Sequence, residues 1–418
     1  MKAKNFIISV TLLGILFPFL SHAQWLQKYE GTQFFLKIKA LDQHTVFGVG
    51  YNGSILRTMN GGISWELMQS NTTSQLYDVA FPGMTTGYAC GANGVLLKTT
   101  DGGSTWNPCT TGTTLHLRGL YFLDDNTGYI SGSSGSDPFQ YGADSGIILK
   151  TTDGGLSFTT SYTSAVAVQA VKMFNANTGI ALCNGPADSS GTILRTTDSG
   201  STWGTCHQSA PYNPLTSLET FATGLAYVAG YTGPGATTTD YGATWTDTFP
   251  SGPSTWDISF PSPQTGYYAG FDPMAGGSIS KLSDGGQLTA QISGSFTTVD
   301  YVDDTIGYAA TADGKIYKTI NGGEIVGIPS PGSAGFPGVT VFPNPFSNVI
   351  HAEIKGTATQ QDELKFELYS STGNRLVVMD FHRNTFTCPD LAAIPGGLYL
   401  VVISKQNAVI FSGKIIKK

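Results

Sequence analysis

Lys98–Trp106 reads KTTDGGSTW and brings a cation, an acidic residue, two adjacent glycines and a tryptophan into one short segment. The part from its first threonine onward, here called the box, recurs along the chain with an acid or amide at Asn60, Asp101, Asp153, Asp198, Asp240, Asp284 and Asn321. Successive copies are 37 to 52 residues apart. A period of about 40–45 residues in a chain of short strands is typical of β-propeller blades, so the copies predict seven blades.

Each box has the features of a tight turn between the third and fourth strands of a blade. The Asp or Asn side chain accepts backbone N–H bonds, and the glycine two positions later permits a positive φ. The aromatic residue five positions after the acid is expected to pack between blades. Seven metal-binding or catalytic carboxylates are the alternative, but Asn60 and Asn321 carry neutral amides, which are poor ligands for hard cations. We therefore predict a structural role for the boxes, no metal site and no cofactor.

The composition also favours short strands joined by turns. Charged residues make up 12% of the chain and 53 of its 418 residues are glycine, against usual shares of about 25% and 7%. Hydrophobic residues still account for 40%, which is enough for a packed core. The sequence predicts an all-β protein with little helix.

The first 23 residues are typical of a signal peptide. Lys2 and Lys4 precede an apolar run, and Ser21-His22-Ala23 supplies small residues at the cleavage site. A retained anchor is the alternative, but the run is short for a membrane span. Cleavage would leave no transmembrane segment and would change the formal net charge from −7 to −9. This acidic balance argues against a nucleic-acid partner.

The boxes match the pattern S/T-x-D-x-G-x-x-W, and three of them follow a strand with Thr-Gly-Tyr: TTGYACG before Asp101, NTGYISG before Asp153 and QTGYYAG before Asp284. Residues 24–326 therefore resemble Asp-box (BNR) propellers, in particular those similar to photosystem II stability/assembly factors. The resemblance implies a seven-bladed β-propeller. It does not imply one activity, because sialidases, other glycosidases, sorting receptors and assembly factors share this fold.

The seventh box lacks its aromatic residue and runs into a linker of Pro, Gly and Ser at 327–338, so blade 7 lacks a fourth strand. Trp25-Leu26-Gln27-Lys28 resembles the fourth strand that begins at Trp65. We predict that Trp25 takes the place of the missing aromatic residue and closes the ring, which removes two exposed sheet edges.

The cysteines occupy matching repeat positions. Cys90 and Cys183 fall in second strands, whereas Cys109 and Cys206 each lie eight residues after a box acid. In an exported protein this co-occurrence predicts the bridges Cys90–Cys109 and Cys183–Cys206. One objection is geometric, because second and fourth strands lie about 9–10 Å apart and a disulfide needs Cα atoms within about 7 Å. The bridges require a frayed blade end. Cys388 has no matching position.

Residues 339–418 form a second β domain with four landmarks in order: VFPNPFSN, KFELYSSTGNRL, LAAIPGGLYLVVIS and the basic end GKIIKK. They resemble the type A C-terminal sorting domain of type IX secretion cargo in Bacteroidetes-type secreted proteins. The resemblance implies a small Ig-like sandwich, recognition by the type IX secretion machinery, and delivery through the periplasm to the outer-membrane surface or the medium. An ordinary Ig-like adhesion module is the alternative.

Function is expected on the propeller face opposite the boxes, where the loops do not repeat. The candidate ligand-binding residues are Tyr77, Arg118, Phe139, Tyr141, Tyr212, Tyr231, Trp256, Asp257 and Phe271. Aromatic residues with a few acids suit a glycan or a protein ligand, so we favour a non-catalytic binding module. The alternative is that these aromatic residues are exposed without a ligand.

Enzyme classes leave one alternative open. A sialidase needs an arginine triad, but Arg57 and Arg195 occupy a strand-3 position that is lysine in other blades, which leaves Arg118. No nucleophile elbow and no His/Cys metal cluster stand in the sequence. A polysaccharide-acting glycoside hydrolase with two acids remains the alternative, with its acids drawn from Asp78, Asp137, Asp144, Asp188, Asp257 and Asp272.

Overall fold

The computed structural model describes residues 25–135, 145–185, 190–231, 235–247, 254–270, 277–283, 287–323, 339–343, 346–354, 364–370, 375–381, 385–388, 390–405 and 408–417. The chain divides into two compact units, of which one is Ala23–Glu324 and the other contains Ile325–Lys418. Within the described ranges the regular secondary structure of both units consists of strands, apart from short 3-10 turns at Tyr51–Gly53 and Ala92–Gly94. No helix in these ranges is long and apolar enough to cross a membrane. The predicted signal peptide lies outside these ranges.

The described part of the first unit forms seven sheets in chain order, as the box repeat predicts. Strand β1 is Trp25–Glu30. Blade 1 contains β2 (Phe35–Ala40), β3 (Val46–Gly50), β4 (Ile55–Thr58) and β5 (Glu66–Met68), and blade 2 contains β6 (Leu76–Ala80), β7 (Gly87–Gly91), β8 (Leu96–Thr99) and β9 (Asn107–Cys109). Blade 3 contains β10 (His116–Phe122), β11 (Gly128–Ser133), β12 (Gly146–Thr151) and β13 (Thr159–Ser164), and blade 4 contains β14 (Ala167–Met173), β15 (Gly179–Asn184), β16 (Gly191–Thr196) and β17 (Gly204–Gln208).

Blade 5 contains β18 (Leu215–Thr220), β19 (Ala226–Gly230) and β20 (Ala236–Thr238), and blade 6 contains β21 (Thr255–Ser262), β22 (Thr265–Gly270), β23 (Ser278–Ser283) and β24 (Gln287–Ser293). Blade 7 contains β25 (Phe296–Tyr301), β26 (Gly307–Thr311) and β27 (Lys315–Thr319). In the described part of blade 5, a bridge between Thr237 and Thr246 stands at the fourth position. The strands within each blade pair antiparallel, as short connections require.

The N-terminal strand closes the ring, as predicted. Strand β1 pairs antiparallel with β27, and Trp25 lies opposite Thr319. The Trp25 side chain is buried and meets the ring of Tyr301 edge-on at 6.0 Å. A Cβ atom on Gly323 would come within 2.7 Å of Trp25 Nε1, which places Trp25 beside the seventh box as the other aromatic residues sit beside theirs. The first and last segments of the propeller therefore share one sheet.

The boxes are turns held by one side-chain network. In the second copy the Thr99 hydroxyl donates to Asp101 Oδ1 at 2.8 Å and accepts the Gly103 N–H at 2.9 Å. Asp101 also accepts the backbone N–H and the hydroxyl of Thr105 at 2.9 and 2.7 Å. Gly103 has φ +77°, a region that side chains with a Cβ disfavour. Asn60 makes equivalent contacts to Ser64, which explains why an amide serves there. The box Asp284 lies outside the described residues.

Several seams between blades combine an aromatic contact with a cation. Trp106 of blade 2 packs edge-on against Phe47 of blade 1 at 6.3 Å. The strand-3 cation reaches the box of the following blade, and Lys98 Nζ donates to the Gly154 carbonyl at 2.6 Å. Arg57 and Arg195 make the same contact, with the carbonyls of Gly102 at 3.1 Å and Tyr241 at 2.7 Å. The structural role expected for these two arginines is confirmed.

The structure forms neither of the two predicted disulfide bridges, and the thiols of Cys90, Cys109, Cys183 and Cys206 are free. Strand register gives the reason. Cys90 pairs with Leu96, and Leu96 pairs in turn with Cys109, so a whole strand separates the two sulfurs. In blade 4, Cys183 packs into one inter-blade core and Cys206 against the core on the other face. The separation of the second and fourth strands therefore outweighs the matching repeat positions of the cysteines as evidence on disulfide bonds.

The second unit contains β28 (Val339–Phe342), β29 (Ile350–Ile354), β30 (Leu364–Ser370), β31 (Arg375–Phe381), β32 (Thr385–Cys388), β33 (Gly397–Lys405) and β34 (Ala408–Lys417). Its two sheets, β28-β29-β32 and β31-β30-β33-β34, share one core that includes Phe366 and Phe386. The buried Lys417 donates to the carbonyls of Leu391, Ala392 and Ile394, so the basic C-terminus fastens the LAAI turn. This arrangement matches the small sandwich expected.

Candidate binding site in the axial cavity

A β-bulge stands at the same place in the first strand of every blade. At this place one residue of each first strand has no partner in the pairing with the second strand: Leu36, Tyr77, Arg118, Gln169, Thr216, Trp256 and Thr297. All of them line one cavity of about 390 Å³ that is surrounded by the first strands. A bulge redirects a side chain and is common beside functional sites. We call these residues the bulge ring and the space they surround the axial cavity.

The bulge ring lies at the propeller end away from the boxes. Each bulge is near the beginning of a first strand, opposite the end of the second strand, as the pair Leu76–Gly91 shows. The boxes follow the third strands, which antiparallel pairing brings to the other end. This is the face on which the sequence predicted function.

The residues that follow the bulges fasten neighbouring blades. Side-chain oxygens of this layer accept backbone N–H bonds from the next blade, in the pairs Asp78–Leu120, Ser217–Ile258, Asp257–Val299 and Thr298–Ile38. The distances run from 2.8 Å for Asp78 to 3.4 Å for Ser217. Both carboxylates in this layer therefore serve blade-to-blade contacts.

The charges of the cavity wall compensate one another in pairs. Lys37 Nζ lies 2.8 Å from Asp257, Lys39 lies 3.0 Å from Asp300, and Lys172 lies 2.8 Å from Glu219. Burial works against the charged form of Lys37, but the attraction of Asp257 and Asp78 outweighs burial and raises its pKa. Burial raises the pKa of Asp78, partly offset by Lys37. These charges stabilise the wall.

The structure brings four of the predicted site residues to the axial cavity: Tyr77, Arg118, Trp256 and Asp257. Asp257, however, belongs to the inter-blade layer and is bonded to Lys37. Tyr231 meets the indole of Trp256 at 5.2 Å with an interplanar angle of 67°. Tyr212 is 64% exposed and does not line the cavity. Phe139, Tyr141 and Phe271 lie outside the described residues.

Arg118 is tightly held. Its guanidinium lies 5.0 Å above the ring centre of Tyr77, Nε donates to Ser133 Oγ at 3.0 Å, and a terminal nitrogen donates to the Gly135 carbonyl. Both Arg118 and Tyr77 are buried. Their sector of the bulge ring is therefore preorganised rather than mobile.

Sequence reasoning missed Leu36, Gln169, Thr216 and Thr297. The signal is a constant offset, since every bulge residue lies 11 positions before an aromatic or aliphatic residue of its second strand, as Trp256 lies before Tyr267 and Gln169 before Ile180. The missed residues are not conspicuous types. Only the offset, applied to all blades, would have found them.

The acids proposed for a hydrolase divide into two groups. Asp78 and Asp257 are held in the inter-blade layer, and Asp137, Asp144, Asp188 and Asp272 lie outside the described residues. Within the described ranges no cluster of His, Cys, Asp and Glu could hold a metal ion. The described residues of the bulge ring offer aromatic, amide and hydroxyl groups for binding.

Comparisons with known proteins assign a type to each unit. Residues 63–210 match the family model of the photosynthesis system II assembly factor YCF48, and residues 340–418 match that of a secretion system C-terminal sorting domain. No curated protein matches the sequence.

Solved structures similar to the chain are propellers. A YCF48 bound to a D1 peptide has 18% identity and a TM-score of 0.54 over 71% of this chain and 94% of that one. YCF48 from Cyanidioschyzon merolae has 19% identity and a TM-score of 0.55 over 71% and 98%. The WD40 propeller domain of Doa1 has 12% identity and a TM-score of 0.56 over 71% and 96%. At these identities the likeness shows the fold alone. The chain thus joins an Asp-box propeller of the YCF48 type to a type IX sorting domain, which directs it out of the cell or to the outer-membrane surface.

Proposed function

We propose that this protein is an exported, non-catalytic binding module that holds a glycan or protein ligand in the axial cavity through the bulge ring. The observation that carries the proposal is the bulge ring itself, in which one backbone feature directs seven side chains of differing chemistry to a single cavity. The box positions differ in this respect, because Thr99 and its counterparts repeat one chemistry from blade to blade.

The size and lining of the cavity support this proposal. Binding pockets for small ligands or chain ends usually enclose about 300–1,000 Å³ and combine apolar walls with a few polar groups, and the axial cavity has about 390 Å³. A similar propeller, the YCF48 structure, is bound to a D1 peptide, so ligand binding is in keeping with this fold. Delivery to the cell surface would expose the cavity to extracellular polymers.

The experiment is a binding screen with a matched pair of variants. The purified full-length protein is tested on arrays of glycans, polysaccharides and peptides, together with Trp256→Ala in the bulge ring and Leu67→Ala on the outer strand β5, where Leu67 is 54% exposed. We expect at least one probe to bind in a way that Trp256→Ala weakens and Leu67→Ala does not. Release of cleaved product from a polysaccharide would overturn the non-catalytic assignment and favour the hydrolase.

A further inference from the structure

Three consecutive blades place an unusual group of side chains in one sector of the bulge ring. Gln169 belongs to blade 4, Thr216 to blade 5 and Trp256 to blade 6, and all three line the axial cavity. They supply an amide, a hydroxyl and an indole. None of these groups carries a charge.

The indole is positioned as a rigid platform. Trp256 is half-buried, and Tyr231 supports it edge-on at 5.2 Å. An indole combines a large apolar face with little conformational freedom, which suits stacking against the flat apolar face of a sugar ring. Tyr231 from the loop and Trp256 from the strand therefore form a fixed pair of aromatic rings.

The polar groups beside the platform match hydroxyl groups. Gln169 is half-buried and lines the axial cavity, and its Nε2 atom has no hydrogen-bond partner among the described residues. The side chain can therefore turn this donor toward a ligand without breaking a bond, and a ligand that accepts from it removes the cost of an unpaired donor. The Thr216 hydroxyl donates to the Ala229 carbonyl at 3.3 Å, which leaves its lone pairs to accept. Sugar hydroxyls both donate and accept, so they satisfy both groups.

The electrostatics of the wall disfavour selection of a charged polymer. The opposite charges within each of the pairs Lys37–Asp257, Lys39–Asp300 and Lys172–Glu219 cancel each other's field beyond short range. The two other charged residues of the wall, Asp78 and Arg118, are also of opposite sign. A uronic acid chain or an acidic peptide would gain little attraction from this wall and would still lose its hydration. A neutral ligand loses less on entry.

From these observations, and resting on the proposed function, we infer that the sector formed by Gln169, Thr216 and Trp256 binds a neutral oligosaccharide. One sugar ring stacks on the Trp256 indole, while its hydroxyls accept from the Gln169 amide and donate to Thr216. A protein ligand is the competing occupant.

The test uses neutral gluco-, galacto-, manno- and xylo-oligosaccharides, acidic uronic oligosaccharides and a peptide library, followed by titration calorimetry of the full-length protein. We expect a neutral oligosaccharide to bind, and Trp256→Ala and Gln169→Ala each to weaken it at least about tenfold. Trp256→Phe should recover part of the affinity because it keeps a stacking face. Met84→Ala, at an exposed turn on the box face, should change nothing, and a rise in salt should leave the affinity unaltered.

The outcomes separate this inference from the proposed function. Trp256-dependent binding only of a peptide or an acidic glycan would overturn the neutral oligosaccharide and leave the proposed function standing. If no probe of any class binds in a way that depends on Trp256, both the neutral oligosaccharide and the proposed function are overturned. Thermal unfolding of each variant shows whether a loss of binding reflects a loss of fold.

Discussion

The box face and the bulge ring use the same sevenfold backbone in opposite ways. On the box face the side chains repeat, so that Thr99, Asp101 and Gly103 have counterparts making the same contacts in other blades. In the bulge ring the backbone irregularity repeats, but the side chains range from Leu36 to Arg118 and Trp256. The repeated side chains of the boxes are those that the turns need, whereas the varied side chains of the bulge ring share one backbone position and line one cavity, as a ligand surface would.

The largest expected effect comes from the aromatic residue of a box. Trp106 is 2% exposed and fills the seam between blades 1 and 2. Trp106→Ala should lower the free energy of unfolding by about 3–5 kcal/mol, as removal of a buried aromatic side chain does. Trp256→Ala in the bulge ring should cost about 1 kcal/mol, because the side chain is only half-buried and its ring contact with Tyr231 is edge-on. Denaturant unfolding of both variants measures the difference. Equal losses of unfolding free energy would show that the two faces do not differ in their structural role.

A second effect tests the closure of the ring. Trp25→Ala should destabilise the propeller by about 3 kcal/mol, since the side chain is 7% exposed beside Tyr301. The amides of β27, which pair with β1, should also exchange faster with deuterated solvent. Gln27→Ala, an exposed change in the same strand, is the control. An unaltered melting temperature for Trp25→Ala would contradict closure by the N-terminal strand.

The same chemical change can be made on both faces. Thr99→Val keeps the shape of the buried side chain but leaves the Gly103 N–H without its acceptor, which should cost about 1–3 kcal/mol. Thr216→Val removes one hydroxyl that donates at 3.3 Å from a half-buried position, and should cost less than about 1 kcal/mol. Chemical unfolding compares the two. A larger loss for Thr216→Val would show that the bulge ring is the structural element.

The sequence predicts the boxes and the closing strand well because their side chains carry the pattern. Trp25 could be placed because its surroundings resemble those of Trp65, and the seven-bladed fold follows from the spacing of the boxes. From side-chain type alone, the bulge ring could be predicted only where a member was conspicuous, as Tyr77, Arg118 and Trp256 are. Gln169 and Thr216 are common residues at a backbone irregularity, and a bulge leaves no mark on composition. The disulfide prediction failed because the third strand keeps the second and fourth strands apart, as the geometric objection had indicated.

The smallest effect concerns the box carboxylates and depends on pH. Hydrogen bonds from the Thr105 hydroxyl, the Thr105 N–H and the Thr99 hydroxyl hold the pKa of Asp101 at about 2, below the value of about 3.9 expected in the unfolded chain. A carboxyl with a lowered folded-state pKa stabilises the fold above about pH 4, and this contribution is lost as the pH falls toward 2. Asp153, Asp198 and Asp240 have their pKa lowered to about 2 in the same way.

Asp101→Asn isolates this contribution, because Asn60 shows that an amide can make the contacts of the turn. The variant should fold as the parent does, and its melting temperature should fall less between pH 4 and pH 2, since one fewer carboxylate is protonated there. The side chain is exposed, so the difference is small for one box and should grow when all four aspartates are replaced. Equal pH slopes for the parent and the fourfold variant would mean that the boxes hold their turns through the threonine alone. The amide and carboxylate boxes would then be equivalent, and the repeated acid would need an explanation outside the stability of the fold.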